Sequence, residues 1–298
     1  MIKRTLQFGN PAYLSTKNEQ LVVKFPDEEQ ATRSVPIEDI GIVILEHPQI
    51  TVSNALLDKL MMNNVVLATC NAQHLPSSLM LSVAGHTEYN ERLRFQLDAS
   101  IPLKKNLWQQ TVEVKIKNQA NLLLSRQKPA ERLKEMAQLV TSGDTLNHEG
   151  QAAAIYWQNL FDIPGFTRGR KDLSPNNLLN YGYAILRAVC ARSLVGSGLL
   201  PSLGIFHANK YNAYCLADDI MEPYRPYVDA LVCSIIDSVD DYEELTTELK
   251  RQLLMIPALD VVIDGKKSPL MIAMSRTSNS LADCFIGVSR KIMYPVYE

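Results

Sequence analysis

GLLPSLGIFHANKYNAYCLADDIMEPYRPYVD, residues Gly198–Asp229, sets a charge-poor turn, one imidazole and a cluster of carboxylates in that order. The turn leads to His207. From Asn212 to Ser238 the spacing predicts a helix that Pro223 and Pro226 must kink or break, because proline lacks the amide donor and crowds the preceding turn. Asp218 and Glu222 are four apart on it, and Asp219 and Glu222 three apart, so all three can meet on one side. Such crowding opposes folding unless something positive neutralises it. Arg225, Lys210 or a bound cation are candidates. A solvated acidic helix face fits the same spacing, and a lone His beside apolar residues also suits a core or capping role. Two carboxylates and an imidazole would make a mostly oxygen site for Mg²⁺ or Mn²⁺, the nitrogen favouring Mn²⁺. Such an ion polarises a phosphoryl oxygen for attack by water or a DNA 3′-hydroxyl.

Upstream, Glu149 opens a helical segment after Gly143-Asp144, with Ala152, Ala153 and Tyr156 on its face. An alanine-lined face lets another element or a ligand come close, although a single helical Glu is ordinarily solvent-exposed. His148 is a weaker ligand candidate, because adjacent helical residues diverge by about 100°. HEGQA is not HExxH, so a zinc-protease reading fails. No GxxxxGK[ST] supports NTP hydrolysis, and no GxGxxG follows a strand. Gly196-Ser197-Gly198 ends a helix and is not a nucleophile elbow.

The 298 residues allow one or two domains with a large core. Five cysteines without a CxxC argue against a disulfide framework and a zinc cage. Apolar runs are too short to span a bilayer, and MIKRTLQFGN lacks a signal-peptide core. The expectation is a cytoplasmic protein with reduced thiols. Net charge is −2, unevenly spread: −3 over residues 1–90, +6 over 91–192 and −5 over 193–298. A basic middle can form a local patch on a near-neutral molecule. Arg168, Arg170 and Lys171, with Lys104, Lys105, Lys115 and Lys117, are candidates for phosphate contacts. Asn180, Tyr181 and Tyr183 precede the His207 segment and could line a site or belong to the core.

Short apolar runs at Thr5–Phe8, Ala12–Ser15, Leu21–Phe25, Ile40–Leu45 and Val65–Cys70 predict strands, with a helix over Ser53–Met62. From Tyr89 the pattern turns helical: Glu91–Ala99, Leu103–Leu123, Pro129–Val140, Leu146–Leu160, a helix capped by Ser174 and running to Leu194, Glu243–Leu254 and Ser278–Arg290. Ile263–Lys266 reads as a tight turn. The expected class is α+β: a small N-terminal β domain with one helix (1–88, dimerisation), then a larger all-α catalytic domain (89–298).

Four segments carry a resemblance: HEGQAAAIY at His148–Tyr156, NNLLNYGYAIL at Asn176–Leu186, GLLPSLGIFHANKYN at Gly198–Asn212 and LADDIMEPYRPYVD at Leu216–Asp229. In order and spacing the chain resembles the larger, catalytic endonuclease subunit of the CRISPR-associated adaptation integrase (the "Cas one" family), and its wording is most similar to the type II branch. The resemblance implies that Glu149, His207 and Glu222 are both catalytic residues and metal ligands. It places Asp219 beside the site, with Asp218, Tyr183 and Asn180 near it. It implies a homodimer built through the β domain, two such dimers flanking a dimer of a small ferredoxin-like partner, and association with type II effector machinery. The substrates would be a prespacer duplex with 3′ overhangs and the CRISPR repeat, joined by transesterification, with no membrane involved. The alternatives are a non-catalytic DNA-binding scaffold of the same fold and a repair nuclease for branched DNA.

Overall fold

Ile40–Leu45 is apolar without alternation, which suits a strand covered on both faces. The computed structural model, which describes residues 3–27, 29–82, 85–169 and 174–298, places it at such a position. β1 (Arg4–Phe8) is followed by β2 (Ala12–Lys17), β3 (Gln20–Lys24), β4 (Arg33–Pro36), β5 (Ile40–Leu45), β6 (Ile50–Val52), α1 (Asn54–Met62), β7 (Val66–Cys70) and β8 (Pro76–Met80). One sheet has the order β1-β5-β7-β8, parallel through its first three strands, and a second has the order β4-β3-β2-β6. Val43 and Leu67 face α1 and the second sheet, where they meet Leu14, Leu21 and Leu56. Ile42, Ile44, Val66 and Ala68 face the other way and join the core of the helical region. The first sheet is therefore shared between two cores.

The helical region comprises α2 (Tyr89–Asp98), α3 (Ile101–Ser125), α4 (Glu131–Leu139), α5 (His148–Leu160), α6 (Asn176–Gly196), α7 (Cys215–Ile220), α8 (Arg225–Ser238), α9 (Thr247–Leu253) and α10 (Leu270–Ile286). The long α3 starts where the Ser100 hydroxyl accepts from the Leu103 amide and Pro102 sits in the first turn. It buries Trp108, Val112, Lys115, Gln119 and Leu122, a stripe at three- and four-residue spacing. Among the described residues no helix is long and apolar enough to cross a membrane.

Four expectations are corrected. The region after Tyr89 is not all-α: β9 (Asp260–Ile263), β10 (Lys266–Pro269) and β11 (Pro295–Val296) form an antiparallel sheet in the order β10-β9-β11. Asp264 and Gly265, with φ of 53° and 67°, make the expected turn, but strands of two to four residues show too little alternation to read from sequence. Ser174 does not cap α6; its hydroxyl donates to the Tyr242 carbonyl at 2.7 Å, and the helix starts at Asn176. The last helix begins at Leu270, not Ser278, and stops at Gly287 with φ 91°. The single helix over Asn212–Ser238 becomes α7, a 3-10 turn at Glu222–Tyr224 and α8, because both prolines stop continuous hydrogen bonding.

Candidate active site

Glu149 enters the site from the first turn of α5. That helix start is held by two side chains: the Asp144 carboxylate accepts from the amides of His148 and Glu149, both at 2.9 Å, and Asn147 accepts from Gly150. Anionic and amide oxygens satisfy the free amides there and match the positive end of the helix dipole. His148 turns onto Asp144, its Nδ1 3.3 Å from Oδ1, and so faces away from the other candidates.

Asp218, Asp219 and Glu222 do not converge. Asp218 accepts from Arg187 Nε and Asn212 Nδ2, each at 2.7 Å. Asp219 is fully buried and organises the turn before it. Its Oδ2 accepts from the amides of Ile205 (2.8 Å) and Phe206 (3.0 Å), and its Oδ1 from that of His207 (3.3 Å). The same Oδ1 lies 2.5 Å from His207 Nδ1. Asp219 thereby fixes the ring and leaves Nε2 to face a ligand. Glu222, on the 3-10 turn, points the third way. Asn118 of α3 anchors this turn by donating to the Pro223 carbonyl at 2.8 Å.

Lys115 connects the carboxylates. Its ammonium pairs with Glu149 Oε1 and, at 2.6 Å, with Glu222 Oε2. Arg225 holds the other Glu222 oxygen at 2.9 Å. Burial works to raise the Glu222 carboxyl, but the Arg225 and Lys115 charges outweigh it and hold it below the usual carboxylate range. Burial likewise disfavours the Lys115 ammonium, yet the Glu222 and Glu149 charges keep it more basic than an ordinary lysine. The Asp219 hydrogen bond is the first cause lifting the His207 pKa; burial opposes it, and the charges of Asp219, Glu222 and Glu149 add to it. All three expected ligands thus act on one another.

Trp108 backs the imidazole. Its ring stacks on Phe206 at 4.3 Å and meets His207 edge-on at 5.6 Å. Behind the site, Asp229 accepts from Tyr156 at 2.7 Å and Tyr183 at 2.5 Å, tying α5, α6 and α8 together. Arg225 and Arg168 lie over the Tyr183 ring at 4.6 and 5.2 Å.

His207 and Glu222 open into a cavity of about 660 Å³, with Arg168, Arg187 and Arg225 on its wall. Asn180, Tyr183 and Asp218 line it as well. A larger cleft of about 890 Å³, between α3 and the C-terminal segment, shares no lining residue with it.

The basic candidates separate. Arg168 is tied to Asn176 and Asn180 through its guanidinium at 2.9 and 2.8 Å. Arg170 and Lys171 fall outside the described residues. Lys104 and Lys105 lie near the start of α3 and do not line this cavity. Lys115 is a buried partner of the carboxylates and not a surface contact, and Lys210 sits over Tyr211 at 4.9 Å instead of on the acidic cluster.

Among the described residues no three or more His, Cys, Asp or Glu side chains already close into a metal cluster. The donor set nevertheless suits a hard divalent ion. Glu222 Oε2 is buried against the Lys115 ammonium, and Asp219 engages only Nδ1 of His207. Glu149, Glu222 and Nε2 of His207 supply two oxygens and a nitrogen.

A family model described as "CRISPR associated protein Cas1" matches residues 7–254. The chain is 37% identical over 282 residues to a CRISPR-associated endonuclease Cas1 of Neisseria meningitidis serogroup C, covering 94% of this chain and 91% of that protein. A casposase bound to integration product has a similar fold, with TM-score 0.78 and 20% identity over 98% of this chain and 92% of that one. A chain of a Cas6-RT-Cas1–Cas2 complex gives TM-score 0.77 at 22% identity, covering all of this chain and 36% of that one.

Proposed function

The chain belongs to the Cas1 family of CRISPR-associated proteins, and on that premise we propose that it is a divalent-metal-dependent DNA endonuclease and integrase of spacer acquisition. It joins prespacer 3′-hydroxyl ends to the repeat by transesterification. The observation that carries this reading is the meeting of Glu149 and Glu222 on one nitrogen, with His207 under the field of both. The fold shared with a casposase bound to integration product supports it.

Glu149, His207 and Glu222 would hold Mg²⁺ or Mn²⁺. Once bound, the ion supplies a Lewis acid for the phosphoryl oxygen. Asp219 orients the imidazole, and Arg225 balances Glu222. Arg187 and Arg225 line the cavity paired with Asp218 and Glu222, so Arg168 is the arginine of the wall that would position a phosphate. The homodimer, the type II-like branch and the small Cas2-like partner, with two dimers flanking one partner dimer, belong to the same proposal. Similarity to a chain from a Cas1–Cas2 complex supports the partner.

The test is strand transfer from a short 3′-overhang duplex into a supercoiled repeat plasmid with Mn²⁺, with and without the small partner. Joined product supports the integrase. Binding without joining in every condition favours the scaffold, and cutting of branched DNA without joining favours the repair nuclease.

A pH dependence follows from His207. Its folded pKa lies above the ordinary 6.5, so the protonated ring contributes stability that is present below about pH 6.5 and lost as pH rises through the folded value. Metal binding needs the neutral ring. As pH is lowered, Mn²⁺ affinity should therefore fall by up to about tenfold per pH unit, with the onset already above pH 6.5. Calorimetric titration across pH 5.5–8.5 checks this. Asp219→Asn should move the onset to lower pH, and an unchanged onset would remove Asp219 as its cause.

A further inference from the structure

Lys115 lies on the buried stripe of α3, with 7% of its side chain exposed, in contact with two of the three expected ligands. A hard divalent ion sits about 2.0–2.6 Å from carboxylate oxygens. The Lys115 nitrogen fills the space between the same two oxygens. A divalent ion seated there would come into contact with an ammonium inside a low-dielectric site, so the two repel. Resting on the metal reading above, we propose that the Lys115 ammonium and the divalent cation are alternative occupants of the space between Glu149 and Glu222.

Lys115 then has a role at each stage. In the metal-free protein it neutralises carboxylates whose mutual repulsion would oppose folding. When the ion enters, the ammonium must leave. Leaving breaks its hydrogen bond to Glu149 and its close ion pair with Glu222, and the incoming divalent charge replaces it at both carboxylates. A destination lies one helical turn on. Gln119 is buried on the same stripe, and its Oε1 has no hydrogen-bond partner. Positions four apart share a helix face, and helical side chains lean toward the N-terminus. Gln119 therefore offers a free acceptor on the side of Lys115. A lysine stem is long and flexible enough for such a move.

The test is calorimetric titration of Mn²⁺ into the full chain without DNA. Lys115→Met keeps the stem and removes the competing charge, and should bind Mn²⁺ at least tenfold more tightly than wild type. Lys115→Arg keeps the charge and should bind no more tightly than wild type. In chelator Lys115→Met should melt below wild type, with the gap closing at saturating Mn²⁺. Should that variant fold only with metal, competition with a chelator of known affinity reads its binding instead. A merely structural lysine would not raise metal affinity on removal. If wild-type binding is weakened by Glu149→Gln and His207→Ala while Lys115→Met gains nothing, the competition is overturned and the metal reading stands. If binding ignores Glu149 and His207 altogether, both fall together.

Discussion

His207→Ala, Glu149→Gln and Glu222→Gln should each lower strand joining and DNA cutting by about 10³-fold or more. The size follows from what each holds. Lewis-acid stabilisation of a phosphoryl transition state is worth several kcal/mol, and each 1.36 kcal/mol is a factor of ten in rate. Losing one ligand of three removes most of it. DNA affinity should stay near wild type, because phosphate contacts and their counterion release come from basic groups. The three variants should differ in stability even though their chemistry fails alike. His207 has 46% of its side chain exposed and Glu149 28%, so their removal should cost less than that of Glu222, although it takes one partner from buried Asp219 and one from Lys115. Glu222 is 7% exposed between Lys115 and Arg225, and losing its charge takes the ion pair from Arg225 and leaves Lys115 with Glu149 alone. Breaking a buried pair from one side costs about 3–5 kcal/mol. Single-turnover joining and thermal melting measure the two effects separately. Turnover within tenfold of wild type in any one variant would remove that residue from the metal site.

Much of this arrangement is legible in the chain. His207 and the carboxylates after it stand out by type and order, and Glu149 by its alanine-lined face. Their separation in space is not legible. Spacing of three and four puts Asp218, Asp219 and Glu222 on one side only while the helix continues, and it ends at Ile220. Pro223 then shifts the backbone to a 3-10 turn, which sends Glu222 toward α3 while Asp219 stays with the imidazole. Lys115 was visible only as one of several basic residues. The usable signal was its place on the apolar stripe Trp108, Val112, Lys115, Gln119, Leu122, since a buried charge requires a partner. Which partner could not be read, because the contact spans α3, α5 and the turn after α7. The small sheet β9–β11 escaped for a different reason. Its strands are too short to show alternation, and β11 lies far along the chain from β9.

Gly204→Ala should cost at least about 100-fold in joining without touching a ligand, an effect that follows from the backbone. A Cβ at this position would lie 2.2 Å from the His207 carbonyl oxygen and 2.8 Å from Asp219 Oδ2. The first is a main-chain atom and cannot rotate aside. The Ile205–His207 turn must therefore shift, and Asp219 loses good geometry to three amides and to the imidazole. Hydrogen bonds to a charged group contribute about 1.5–3 kcal/mol each. Part of that loss should appear as a lower melting temperature. A misplacement of about 1 Å at a reacting centre costs on the order of 10²-fold, so kcat should fall further than stability alone explains. Gly182→Ala provides the comparison. Its Cβ would meet Val228 Cγ1 at 2.6 Å, a side-chain clash between α6 and α8. Overpacking of that kind costs about 1–3 kcal/mol, and the joining rate of the folded fraction should be less affected. Equal rate losses in the two variants, matched for fraction folded, would mean that the turn does not set the imidazole. A loss confined to Gly204→Ala, together with a changed pH onset for Mn²⁺ binding, would trace the effect to the Asp219–His207 pair, because only that turn holds the ring and its carboxylate in register.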